Sequence, residues 1–109
     1  MAFDAELADR IRALLGDRAD DEQKIFGGLA FMIGGNMAVA ASSNGGIIVR
    51  VDPAESEELV ATTPAELMEM RGKTMHGWLR VAPEHLAYDT ALAPWVERGI
   101  AYASSLPPK

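Results

Sequence analysis

The chain contains no cysteine. That excludes disulfides, thiolate nucleophiles and cysteine-ligated zinc or iron–sulfur centres, and it makes a reducing compartment, the cytoplasm, the expected setting. No stretch approaches the roughly 20 apolar residues that a membrane helix needs. The opening Met1-Ala2-Phe3-Asp4-Ala5-Glu6 is too acidic and too polar to be a secretory signal. Basic charge is scarce: 10 Lys and Arg stand against 16 Asp and Glu, a net charge of −6. Nucleic-acid binding rests largely on cations that neutralise phosphates, so direct nucleic-acid binding is not expected.

What remains suits one domain. The length is 109 residues, and 49% of them are hydrophobic, enough for a single core without staples. Residues 4–15 read as a helix: Asp4 is a good N-cap, Leu7, Ile11, Leu14 and Leu15 share a stripe, and Gly16 ends it. The run from Asp17 to Glu22 reads as a polar connection. Lys24 to Ile33, Met37 to Ala41 and Ile47 to Val51 then read as three strands. They are separated by Gly34-Gly35-Asn36 and by Ser42-Ser43-Asn44-Gly45-Gly46, whose Asn-Gly pair is a hairpin signal. Asp52-Pro53-Ala54-Glu55 opens a second helix with a cap, a first-position proline and an acidic first turn. Thr62-Thr63-Pro64 breaks it. Leu67–Met70 and Met75–Val81 form a second hairpin about Arg71-Gly72-Lys73-Thr74, and residues 84–87 make one helical turn. The last helix, about Asp89 to Ser105, carries Leu92, Trp95, Val96, Ile100 and Ala103. Its start is open between Asp89 and Ala93, because Pro94 inside the helix removes a backbone hydrogen bond.

The expected fold is therefore α+β, a two-layer domain with an antiparallel sheet, element order α-β-β-β-α-β-β-α and the helices packed mainly on one face. The run from Lys24 to Ala38, with Phe26-Gly27-Gly28 followed by an apolar strand and Gly34-Gly35-Asn36-Met37, resembles the opening strand pair of the TfoX N-terminal domain family. Gly46–Val51, Gly72–Trp78, Trp95–Gly99 and Leu106–Lys109 are similar to later segments of that family, in order and spacing. The resemblance covers nearly the whole chain. It implies a single TfoX N-terminal-like domain over residues 1–109, a bacterial regulatory setting and no established catalytic residues to map. The family is named for regulators of natural competence, longer proteins with a second, C-terminal domain. With Lys109 ending the chain, that domain is not expected here.

Candidate sites have plain structural readings. Gly72-Lys73-Thr74 echoes the end of a phosphate-binding loop, but the glycine required five residues earlier is Leu67, and a hairpin turn fits better. Gly27-Gly28, inside the first strand, reads as a bulge, with a ligand on the bare backbone as the alternative. His76 and His85 lack the i, i+4 spacing of a helical metal pair, so no metal is expected. Ser42-Ser43 and Ser104-Ser105 suit local backbone bonding rather than nucleophilic catalysis. No catalytic centre and no cofactor are expected.

The two sides of the sheet are more informative. Alternation puts Ile25, Leu29, Phe31 and Ile33 on one face of the first strand, with Ile47, Val49 and Val51 and with Met75, Leu79 and Val81. The other face receives Phe26, Met32, Ile48 and Trp78, beside Arg50 and Arg80. A solvent-facing sheet surface normally turns polar, and this one does not do so cleanly. Either a helix covers it, or it is an open surface of the composition found at protein interfaces. The sequence thus points to a non-enzymatic regulatory or interaction domain that binds an unknown protein or a second copy of itself through Phe26, Met32, Ile48, Arg50, Trp78 and Arg80. The alternative is a small-ligand-binding domain, or an unusual enzyme, with a pocket between sheet and helices.

Overall fold

A computed structural model describes residues 4–25, 27–43 and 45–108. Helix α1 spans Ala5–Leu15. Asp4 caps it as its spacing predicts: its Oδ1 accepts from the backbone N–H of Glu6 at 3.0 Å and of Leu7 at 3.2 Å. Gly16 closes the helix by donating its N–H to the Arg12 carbonyl. Six strands follow: β1 Asp21–Ile25, β2 Gly28–Ile33, β3 Asn36–Ala41, β4 Ile47–Arg50, β5 Glu66–Met70 and β6 Lys73–Val81. Helix α2, Pro53–Thr62, separates β4 from β5, a 3₁₀ turn at Pro83–His85 follows β6, and α3 covers Asp89–Ser105. All pairings are antiparallel, in the order β1-β2-β3-β4-β6-β5.

The α+β architecture agrees with expectation, but the expected first strand is two strands. Ile25 pairs with Gly28, so the pair closes a tight hairpin whose second turn residue, Gly27, has φ +77. Only glycine takes that conformation without steric cost. Gly27-Gly28 is thus a turn and its flank, not a bulge within a strand. Asp21 and Glu22, read as the end of a polar connection, belong with Gln23 and Lys24 to an exposed edge strand. It shows no apolar alternation because no core lies against either side, and its charges suit an edge that must not recruit further strands. The turn also reverses the parity of Ile25, which packs on the opposite face from Leu29 and Phe31.

Two further irregularities redirect side chains. The β2–β3 register slips between Phe31 and Met32, so that Met32 pairs with Met37 while Phe31 pairs with Val39. The extra residue is Ala38, and Met37 therefore joins the face of Met32. In the second hairpin Leu67 pairs with Leu79 but Met68 pairs with Met75. Met75 thus stands opposite Met68, on the second face, and not with Leu79 and Val81 as strict alternation predicts.

The main core lies between the first sheet face and the helices. Leu29, Phe31, Val39, Ile47, Val49, Leu79 and Val81 meet Leu7, Ile11 and Leu15 of α1, Leu59 of α2, and Leu92, Trp95, Val96 and Ile100 of α3. Helix α3 begins at Asp89, with Pro94 inside it and exposed. It approaches β3 closely: a Cβ on Gly99 would stand 2.3 Å from the Ala38 carbonyl oxygen, so only a bare Cα fits there. Asn36, buried at the β2–β3 turn, donates from Nδ2 to the Pro107 carbonyl and fastens the residues after α3 to the sheet.

Candidate functional site on the helix-free face

No helical residue belongs to the cluster on the second face. That cluster contains Ala30, Met32, Met37, Ala40, Ile48 and Met68, with Ile25 and Trp78 packed at its margin. Its centre is nevertheless buried: Met32 and Ile48 are each 7% exposed. The sheet itself supplies the cover. Ile25 comes from β1 at one edge and Met68 from β5 at the other, yet both line one hollow of about 100 Å³. Six flat strands would hold those edges about 24 Å apart, five spacings of roughly 4.8 Å. The sheet is therefore curled around its second face, and that face is a concave surface with no helix in its cluster.

Of the residues assigned to this face from sequence, Met32 and Ile48 form its buried floor, while Trp78 is half-buried and Arg80 exposed at the hollow's margin. Ile48 pairs across the strands with Arg80, and Arg50 with Trp78, which places all four on one side. Arg50 does not line the hollow. Its guanidinium lies 4.9 Å from the Trp78 ring centre and 5.7 Å from that of Tyr102 in α3, a cation–π contact with both. Phe26 lies outside the described residues. Sequence reasoning missed Ile25, Met37 and Met68. The Gly27-Gly28 pair could have signalled the turn that reverses Ile25, but nothing in the sequence marks the two register slips.

The hollow has an apolar wall of Ile25, Met37, Ala40, Ile48, Met68 and Trp78 and a polar side formed by buried Ser42 with Ser43, Glu69 and Arg80. Arg80 forms no ion pair with any described residue, whereas Arg10, Arg12 and Arg18 are each paired. The pairs of Arg12 and Arg18 lie elsewhere and are structural. Arg12 donates to both carboxylate oxygens of Glu22 at 2.7 and 2.8 Å, tying α1 to β1. Arg18 does the same with Glu97 of α3 at 2.9 and 2.7 Å. These hydrogen bonds hold the Glu22 and Glu97 carboxyl groups below their ordinary pKa.

Lys73 and Thr74 open β6 beside a hairpin turn and are exposed. His76 and His85 are exposed, and among the described residues no three His, Asp or Glu side chains gather as metal ligands would. Ser105 donates its hydroxyl to the Tyr102 carbonyl at 2.6 Å, which is local backbone bonding. No helix among the described residues is long and apolar enough to cross a membrane.

Comparison with known proteins agrees with this architecture. A family model, the TfoX N-terminal domain, matches residues 19–103, from just before β1 to the last turns of α3. No curated protein matches the chain.

Proposed function

Because the chain belongs to the TfoX N-terminal domain family, we propose that it is a non-enzymatic regulatory domain that acts through protein contacts, in transcriptional control or a related process of the bacterial cytoplasm. One observation carries the reading: the sheet turns a concave, Met- and Trp-lined face away from all three helices. A helix-free face of this composition has the character of a recognition surface, with half-buried Trp78 and exposed Arg80 beside an apolar floor. The acidic balance and the exposed Glu55, Glu57, Glu58, Glu66 and Glu69 favour a protein over nucleic acid as partner.

The experiment is affinity capture with the wild type and Trp78→Glu side by side, together with light scattering of both. Trp78 is only half-buried, so the variant is expected to fold. Reproducible recovery of a regulatory protein, or self-association, that disappears in the folded variant supports the reading. Assembly and capture that survive the substitution unchanged refute the assignment of this face. A steeply salt-dependent affinity for duplex DNA would overturn the protein-contact reading altogether.

A further inference from the structure

We propose that the hollow on the helix-free face is a binding site for a small monocarboxylic acid whose body is a single aromatic ring, or a branched aliphatic group of similar bulk. The body would sit among Met37, Ile48, Met68 and Trp78, and the carboxylate would meet the Arg80 guanidinium. This goes beyond the protein-partner reading, although both use the same concave face.

Size sets the first limit. The hollow measures about 100 Å³. An enclosed apolar cavity of about 150 Å³ holds benzene, so a hollow about a third smaller but open at its rim admits at most one ring. The walls set the second. Ile25, Ile48 and Ala40 offer a water molecule no partner, whereas the thioethers of Met37 and Met68 are deformable and make favourable contacts with ring edges. Trp78 adds an aromatic surface at the margin.

Charge sets the third limit. Arg80 is exposed, stands on the rim directly across the strands from Ile48 and has no ion-pair partner among the described residues. Its planar fork suits a carboxylate. Glu69 on the same lining, and Glu66 across the strands from Arg80, weaken the site for any anion and most of all for one with two negative charges. A monoacid therefore suits this arrangement better than a phosphate or a diacid.

The test is methyl NMR on the whole chain, following the methionine and isoleucine signals during titration with benzoate, with its neutral isostere benzyl alcohol and with inorganic phosphate. Saturable shifts of Met37, Ile48 and Met68 with benzoate are expected, in the millimolar range suited to so small a ligand. Benzyl alcohol should bind about fivefold more weakly, the worth of one exposed charge-assisted contact. Phosphate should leave the three signals in place. Arg80→Gln, an exposed and conservative change, should reduce benzoate to the level of benzyl alcohol. The proposal is overturned if folded wild type shows no saturable shift at Met37 and Met68, or if Arg80→Gln leaves the preference for benzoate intact. If benzoate fails while protein capture still depends on Trp78, this proposal falls and the preceding one stands. Benzoate binding without any capture gives the reverse.

Discussion

The two faces of one sheet bury their apolar residues by different means. On the first face, three helices press against Phe31, Val39, Val49 and Leu79, each of which has no exposed surface. On the second, the same six strands curl until opposite edges reach across a hollow, and Met32, Met37, Ile48 and Met68 keep between 5% and 8% of their surface exposed. Packing against a second layer produces a filled core. Curling produces burial with space left over, and space bounded by apolar walls and a charged rim is what a recognition site requires.

This contrast can be broken most forcefully from the filled side. Phe31→Ala should cost about 3–5 kcal/mol, because the side chain is wholly enclosed and its neighbours are held by three helices. Urea denaturation of the purified variant reads this directly. Gly99→Ala should follow, at about 1–3 kcal/mol, since the new methyl group meets the Ala38 carbonyl and forces α3 off the sheet. Met68→Ala should cost about 2 kcal/mol, the lower end of the range for such truncations, because the hollow already leaves Met68 short of neighbours. A loss at Met68 as large as that at Phe31 would mean that the second face is packed like the first.

The smallest effect concerns the exposed pairing of α1 with β1. Glu22 has a lowered pKa in the folded chain, chiefly through its hydrogen bonds from Arg12. A carboxylate lowered by folding contributes stability that is present above its unfolded pKa, near 4.3, and is lost as pH falls through that value toward the folded one. Glu22→Gln should therefore flatten the acid limb of the stability profile slightly and leave neutral-pH behaviour almost unchanged. Thermal melts between about pH 3 and 7 would show it, and the difference should shrink in about 1 M salt, where exposed charges are screened.

Much of the fold is legible in the residues because local chemistry and global packing agree. Asp4 and Asp52 cap helices through their side chains, Gly16 ends one, and the stripe from Leu92 to Ala103 faces the core it predicts. The paired residues Ile48 and Arg80, and Arg50 and Trp78, also fall on the expected side. Legibility fails where no local signal exists. The strand Asp21–Ile25 is polar because it is an edge, so hydrophobic periodicity passes over it. The slips at Ala38 and between Met75 and Leu79 are responses to twist and to neighbouring elements, which alternation cannot register. The hollow depends on two of these features, the edge strand and the slip at Ala38, since it needs Ile25 and Met37 turned to the side of Met68. The face was readable from sequence, and its concavity was not.

The strand order carries a kinetic consequence. Chain order and sheet order coincide from β1 to β4, and β5 pairs with β6 across a short turn. The one seam in the sheet that must close over distant sequence is β4 with β6, whose partners, such as Arg50 and Trp78, lie about 30 residues apart with α2 between them. Meander and hairpin can each form from neighbouring sequence on the microsecond scale of local β structure. The slow event in the sheet's assembly is then the docking of one block on the other. Substitutions along Ile47–Arg50 and Trp78–Val81 should retard refolding, whereas those in β1 should act mainly by hastening unfolding.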